Sequence, residues 1–447
     1  MRQFIENIKK QIRRGKRWVK NTRSIRWMRS LSPKERGVKI YRGRRVFTIR
    51  QLCKLLAIKV PKKYRRIANH YVTQTPIFQK LENCEKIRSK IQWIEDAENK
   101  YSLTNDKLAE RTRLQAVGFE RRYRSHNFDR HSDADLLCKF TEFKYQFSPL
   151  GYNAENYFTL RLYEKSVDVA VETLVTSKEM IKFRNYREKA FIKYIVSKIL
   201  FVKKFQAFVK RDWIYPKEST CEEFCQFCQL QEKIIIKPVS STQGRGIYII
   251  ESPHAQKKQE ILFNELRKES VLVEQIVEQH PLLAEFNDTS LNTVRVHTIR
   301  QPSGQTDAVA AYIRFGRKGN IVDNFHASGV AAPIDLSTGR IDYGASDSFG
   351  DYHDCHPDSK LKFIGFQLPC WEQVVQTAAA AAQELPQVHH VGWDIAITKD
   401  NDVEIIEGNS SPCVSNALQT VDAHRGNIKK IYQKYFDLFA EASSEKK

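Results

Sequence analysis

The sequence contains no run of about 18 uncharged apolar residues, the length a bilayer-spanning helix requires, so no such helix is expected. Its opening stretch, MRQFIENIKKQIRRGKRWVK, has no uninterrupted apolar core and no small-residue cleavage site, which argues against a secretory signal. A cytoplasmic compartment is the expectation. Cysteine is too scattered for a disulfide framework: nine residues, an odd number, are spread over 447 positions. Glycine (18) and proline (14) are few, which excludes collagen-like and low-complexity chains. With 41% hydrophobic residues, the length fits a globular protein of two or three domains.

Acidic residues are nearly absent from the first 80 positions. Glu6 and Glu35 stand there against 25 lysines and arginines, while the remaining 367 residues carry 49 basic and 50 acidic side chains. The formal charge of +22 therefore belongs to residues 1–80. Phe4, Ile5, Ile8 and Ile12 fall on one side of a helix, and Trp18, Trp27 and Met28 follow. A basic amphipathic stretch with tryptophan suits an anionic membrane surface or a lipid-linked anionic glycan; an ordinary solvated helix is the plainer alternative. No zinc-finger spacing or RNP-type motif supports nucleic acid.

Residues 81–230 read as mostly helical, with a loop at SPLGYN (148–153). The texture changes near residue 233. Short β-branched runs follow: KIIIKP (233–238), IYIIE, VLVEQIV (271–277), NTVRVHTIR (292–300), AVAAYIRFG (308–316), GWDIAIT (392–398) and VEIIEG (403–408). One clear helix, WEQVVQTAAAAAQEL (371–385), lies among them. The expected fold class is α+β with a largely antiparallel sheet. The expected organisation is a basic region 1–80, a helical region 81–189, an α+β domain 190–430 and a tail 431–447.

Three places carry chemistry. Lys237 ends a strand and leads into Ser240-Ser241-Thr242-Gln243-Gly244-Arg245-Gly246, a small polar turn whose N–H and hydroxyl donors suit phosphate oxygens. The order is not that of a Walker A loop, and taken alone such a turn is an ordinary hairpin. Asp394 and the pair Glu407 and Asn409 lie on runs joined by the turn 399–402. Glu407 and Asn409, two apart on a strand, face one way, and a hairpin brings Asp394 beside them. Two carboxylates and an amide oxygen are hard donors suited to magnesium on nucleotide phosphates. Ile395, Ile397, Ile405 and Ile406 should anchor both strands. The strand VLVEQIV can offer backbone groups of Glu274, Gln275, Ile276 and Val277 to a flat base, and Glu278 can hold a ribose.

Together the motifs IIIKPVSSTQGRGI, VLVEQIVEQH, NTVRVHTI, VDNFHASGV and GWDIAIT…VEIIEGN resemble an ATP-grasp domain over roughly residues 190–425. The Asp-to-Glu interval and the E-x-N ending are similar to carboxylate–amine ligases such as the D-alanine–D-alanine ligases. NTVRVHTI, IRFG…VDNFHASGV and HPDS (356–359) resemble the sugar-transfer-associated ATP-grasp family. The resemblance implies an ATP-grasp fold of two α+β subdomains enclosing the nucleotide. It implies that Lys237 touches the ATP phosphates under the Ser241–Gly246 loop, with Ser241, Thr242, Gly244 and Gly246 lining them and Lys198 assisting. Glu274 to Val277 would line adenine, with Glu278 at the ribose. Asp394, Glu407 and Asn409 would hold magnesium, Arg295 and Arg314 would meet the γ-phosphate or an acyl-phosphate, and Asp323, Asn324, His326 and Gly329 would form an acceptor loop. His356 and Asp358 are weaker candidates.

The implied reaction passes the γ-phosphoryl group of ATP to a carboxylate and then an amine to the acyl-phosphate. The family context suggests a surface-polysaccharide sugar acid, joined to an amino acid or amine at the inner membrane face. A kinase acting on a hydroxyl would use the same nucleotide site. A binding protein with a degenerate nucleotide fold is a further reading, disfavoured by the three retained magnesium-type ligands. Cys221-x3-Cys225-x2-Cys228 fits an iron–sulfur motif, but the same spacing places the cysteines on one helix face, where they behave as small hydrophobes.

Overall fold

A computed structural model describes residues 119–126, 133–176, 179, 187–240, 246–323, 325, 329–410, 418–422 and 428–444. The basic region 1–80 and its amphipathic stretch lie outside the described residues. Two compact units are distinguished, one reaching to Glu172 with Thr176, the other comprising Thr173–Val175 and the residues from Glu179 onward.

The described part of the first unit is helical. It includes α1 (Asp133–Glu142), a wider turn of helix at Phe143–Phe147 and α2 (Ala154–Thr159). Within SPLGYN the chain turns at Gly151, whose φ of 105° lies in the left-handed region that glycine adopts freely. Asn153 then starts α2, its side chain accepting from Asn156 N while the Asn156 side chain accepts from Asn153 N. The core is aromatic: Phe119, Tyr123, Phe140, Phe143, Phe147 and Tyr157 are all buried.

In the second unit, the run 188–210 forms two short helices, α3 (Lys193–Val196) and α4 (Lys198–Lys204), rather than one long one. Ser197 is extended between them and caps α4, its hydroxyl accepting from Leu200 N. Next come β1 (Trp213–Ile214), α5 (Cys221–Gln229), β2 (Lys233–Pro238), β3 (Tyr248–Glu251), α6 (Gln256–Leu266) and β4 (Val271–Gln275). The strands form a four-stranded sheet in the order β1-β4-β2-β3. Alternation decides its faces. Ile234, Ile236, Val271 and Val273 pack on Phe224, Phe263, Leu262 and Leu266 of the two helices. Lys237 and Glu274 therefore point to the other side, towards the larger sheet.

That larger sheet contains β5 (Val294–Arg300), β6 (Thr306–Phe315), β7 (Val330–Ile334), β8 (Ala345–Ser346), β9 (Tyr352–His353), β10 (His390–Ile397) and β11 (Val403–Asn409), in the order β11-β10-β5-β6-β7-β8-β9. Every pairing in both sheets is antiparallel, as expected from sequence. On one face α7 (Trp371–Gln383) packs through Val374, Ala378, Ala381 and Ala382, whose small side chains let helix and sheet approach closely, alongside Phe201 and Phe205. On the other face α8 (Gln419–Asp422) and α9 (Ile428–Ser444) contribute Val421, Tyr432, Phe436 and Phe439, which cover Ile299, Val309, Ala310 and Tyr312.

Two helices exceed the sequence expectation. α6 was not anticipated, and residues 431–444, expected as a tail, lie within α9 because its apolar side chains recur at helical spacing against the sheet.

Candidate functional site

The site is built from a row of cross-strand neighbours on the large sheet. Glu407 of β11 pairs with Asp394 of β10, Asp394 with Arg295 of β5, and Arg295 with Tyr312 of β6. Arg314, two residues beyond Tyr312, shares that face. Asp394 is buried, and the Arg295 guanidinium grips it through both Nε and Nη2, the latter at 2.7 Å from Oδ2. Arg314 Nη2 reaches the same Oδ2 at 3.0 Å. Arg314 Nε also donates to Asp323 Oδ2 at 3.3 Å, and Thr293 donates to that carboxylate through its N–H at 3.0 Å and through its hydroxyl.

The electrostatics follow from this crowding. Burial opposes ionisation of Asp394, but Arg295 and Arg314 overcome it and hold the carboxyl well below the usual carboxylate range. Asp323 is held above its ordinary value by burial, with Arg314 only partly offsetting it. Glu407, although exposed at the surface, is held above its ordinary value by desolvation of its carboxyl and then by the neighbouring Asp394.

β11 departs from regular alternation at a bulge. Asp394 faces Glu407, whereas Ile395 faces Ile405, leaving Ile406 as the extra residue. In a regular strand Ile405, Glu407 and Asn409 would share one face. The bulge inverts the phase, so Ile405 joins the core while Glu407 turns to Asp394. Ile395, Ile397 and Ile405 anchor the strands as expected, while Ile406 is only half-buried.

The donor chemistry of Asp394, Glu407 and Asn409 suits a hard divalent cation. Asp394 and Glu407 face each other as cross-strand partners, and a divalent cation between them would relieve the repulsion of their two carboxylates. The buried Asn409 Nδ2 has no hydrogen-bond partner among the described residues. Of the three, Asp394 is the one that the arginines also hold.

The second half of the site lies on the small sheet. Lys237 is ion-paired with Glu274, whose carboxyl is pushed down to about 2: burial opposes this, and Arg211 and Lys237 outweigh it. Lys198, at the start of α4, has its ammonium pKa lowered by burial; Glu407 counteracts this and Lys237 adds to it, so Lys198 bridges the two halves electrostatically. Gln275 is tied to Asp212, both through its own N–H at 2.9 Å and through its side chain, which accepts from Asp212 N at 3.1 Å. Ile276 and Val277 lie half-buried beyond the end of β4. Glu278 is exposed and pairs with Lys399 at 2.9 Å. Gly246 has a φ of 76° where the chain enters β3. Ser241, Thr242, Gly244, Asn324 and His326 lie outside the described residues, and Gly329 is buried at the start of β7.

Two weaker candidates are structural. His356 is fully buried, with Nε2 2.9 Å from Gly316 O and Nδ1 accepting from Ser359 N at 3.2 Å. Asp358 is engaged by Arg317 at 2.8 Å and Lys318 N at 2.8 Å. The cysteine trio lies on α5 as expected, and its thiols are poor cluster ligands. Burial pushes Cys228 up to about 12, and burial with the neighbouring Cys221 pushes Cys225 up to about 11, the reverse of thiolate formation.

Sequence reasoning missed Thr293, Glu404 and Arg211. Arg211 binds Glu274 and Glu404, which lie 63 and 193 residues away, a separation that leaves no local pattern to read.

Gly408 lets α3 and α4 pack closely on the end of β11. A Cβ there would stand 3.0 Å from Phe201 Cε2, 3.2 Å from Ile195 Cδ1 and 3.4 Å from Trp393 Cζ3. Phe201 and Trp393 are themselves fixed around Phe205, with ring centroids 4.8 and 5.2 Å from it. Gly408→Val is therefore expected to cost about 1–3 kcal/mol through overpacking and to displace α4 with Lys198. A denaturant midpoint equal to that of wild type would refute this.

A family model of sugar-transfer-associated ATP-grasp proteins matches residues 182–431. A search of curated proteins returns no match. Among solved structures, the ADP complex of PurK, an N5-carboxyaminoimidazole ribonucleotide synthetase, is 12% identical over 54% of this chain and 53% of that chain, with a TM-score of 0.34. This chain thus spans about half the length of that protein. D-alanyl-alanine synthetase A from Vibrio cholerae is 13% identical over 57% and 68% of the two chains, with a TM-score of 0.35. The ATP complex of D-alanine–D-alanine ligase from Bacillus anthracis is 13% identical over 58% and 72%, also with a TM-score of 0.35. The family match takes in both sheets, the charged row from Glu407 to Arg314, and Lys237 with Glu274, and the chain belongs to the sugar-transfer-associated ATP-grasp family.

Proposed function

We propose that this protein is an ATP-dependent carboxylate–amine ligase that works through an acyl-phosphate. The observation that carries the reading is the convergence of Arg295 and Arg314 on Asp394, with Glu407 beside it and Lys237 and Lys198 across the cleft. The buried Arg295, the part-buried Arg314 and two lysines form a cationic surround for transferred phosphate, and fixed charges of this kind supply most of the catalysis in phosphoryl transfer. Magnesium held by Glu407, Asn409 and Asp394 would neutralise phosphate oxygens. Arg295 and Arg314 orient the phosphoryl group towards a carboxylate oxygen, which forms the new P–O bond as the bond to ADP breaks. An amine nitrogen then attacks the acyl carbon, phosphate leaves, and the amide remains.

The proposed acceptor is the carboxylate of a surface-polysaccharide sugar acid, and the donor an amino acid or amine. The basic residues 1–80 would hold the enzyme against an anionic membrane surface or its lipid-linked glycan, at about 1 kcal/mol per basic side chain near the surface. The test is to follow γ-labelled ATP with magnesium, an amino-acid mixture and an extract of anionic glycans. Acceptor-dependent release of free phosphate with ADP is expected, falling about 100-fold or more in Lys237→Met. Label retained stably on the acceptor would instead identify a kinase.

A further inference from the structure

Arg211 lies just before β1 and is buried, with every guanidinium N–H placed. Nε and Nη2 meet Glu274 Oε1 at 2.9 and 2.7 Å; Nη1 donates to Glu404 Oε2 at 2.8 Å and to Ile405 O at 2.9 Å; Nη2 also donates to Ile406 O at 3.1 Å. Glu404 is held further by the backbone N–H groups of Lys210 and Arg211, each at 3.2 Å. These partners belong to different sheets. Glu274 is on β4 of the small sheet and grips Lys237, whereas Glu404, Ile405 and Ile406 are on β11 of the large sheet, immediately before Glu407. The two carbonyls that Arg211 takes are those at the bulge that reverses the phase of β11.

We infer that Arg211 is a positioning residue that couples the nucleotide-phosphate lysine to the metal-side strand. By holding the Ile405 and Ile406 carbonyls it fixes the bulge that turns Glu407 and Asn409 to the cleft. By holding Glu274 it fixes the clamp from which Lys237 must release to meet phosphate. One rigid planar group thus ties both events, and a lysine, with three donors on a flexible stem, cannot span these four acceptors. The inference rests on the proposed nucleotide site.

The experiment is ATP binding by calorimetry to the full chain, with excess magnesium and with EDTA. Wild type is expected to gain at least tenfold in affinity from magnesium. Arg211→Lys is expected to lose at least fivefold of that gain while its metal-free Kd moves less than twofold. A purely structural role would lower Tm and shift both Kd values together, preserving the ratio, and that result overturns the assignment. If Arg211→Lys fails to fold by circular dichroism, Glu404→Gln, which keeps the volume but weakens the grip at the bulge, carries the same expectation. A preserved ratio in whichever variant folds overturns the coupling. Wild type that binds no ATP in either condition refutes the nucleotide site itself, whereas wild type that binds ATP without gain from magnesium refutes only the coupling.

Discussion

Asp394→Asn should lower the stability of the domain by about 3 kcal/mol and abolish acceptor-dependent phosphate release. Asp394 is 1% exposed and is the shared counterion of the buried Arg295 and the part-buried Arg314. Removing one partner of a buried ion pair costs about 3–5 kcal/mol, because the charge left behind is uncompensated. Asparagine keeps one carbonyl acceptor, which places the expectation at the lower end. The corresponding fall in Tm is roughly 6–12 °C for a domain of this size. Inorganic pyrophosphate, an anion able to replace the lost charge, should restore more of the Tm in the variant than it adds to wild type. Asp358→Asn, at a part-exposed pair with Arg317, serves as the control and should cost no more than ~1 kcal/mol. Equal melting of Asp394→Asn and wild type would remove the charged row from the account of the fold.

Acidification from pH 7 to pH 5 should destabilise the protein through two buried histidines. Tyr432 of α9 places its hydroxyl 3.1 Å from His390 Nε2 and 3.3 Å from His297 Nδ1, with the two rings 5.9 Å apart. A single hydroxyl can donate to one of these nitrogens, whose imidazole must then be neutral, while accepting from the other. Arg295 and Asp394 face them from β5 and β10, and Tyr312 from β6. Burial pushes His390 down to about 3; burial, His390 and Arg295 hold His297 well below its ordinary value. In the unfolded chain both titrate near 6.5. Between that value and the depressed folded ones the unfolded state binds more protons, so stability is lost as pH falls, by about 2 kcal/mol per histidine from pH 7 to 5. Asp323 and Glu407, whose carboxyls are raised, act in the opposite direction. The informative comparison is therefore the slope of the urea midpoint against pH in wild type and in His390→Leu/Tyr432→Phe, which removes one imidazole together with the hydroxyl. The slope should drop by about half. An unchanged slope would show that these rings do not control the acid response.

Local signals survived in the sequence wherever they were strong. Lys237 at the end of a β-branched run, the hairpin that sets Asp394 opposite Glu407, and the α7 helix with its alanine run were all legible. The bulge at Ile406 was not, because a strand with one residue out of phase looks regular until its partner is known. Simple alternation correctly put Glu407 with Asn409, yet it offered no reason for Ile405 to face the core. Arg211 and Thr293 escaped for a different reason: their meaning lies in contacts with β4, β11 and the segment around Asp323, none of which is near them in sequence. α9 was missed because its buried face is largely aromatic and interleaved with lysines, so that Tyr432, Tyr435, Phe436 and Phe439 declare a helix only against the sheet they cover.

The position of α9 also bears on how a cell would tell whole copies of this protein from broken ones. Ribosomes emit β5 and β6 well over a hundred residues before Ile428. Until α9 arrives, Ile299, Val309, Ala310 and Tyr312 lack the aromatic part of their cover on that face, and His297 and His390 lack the hydroxyl they share. A nonsense or frameshift product ending before Ile428 would carry most of the charged row yet display a sticky apolar face beside it. Such a face is what chaperones and degradative proteases bind. The helix that closes the sheet thereby serves as the sign that this face has been covered.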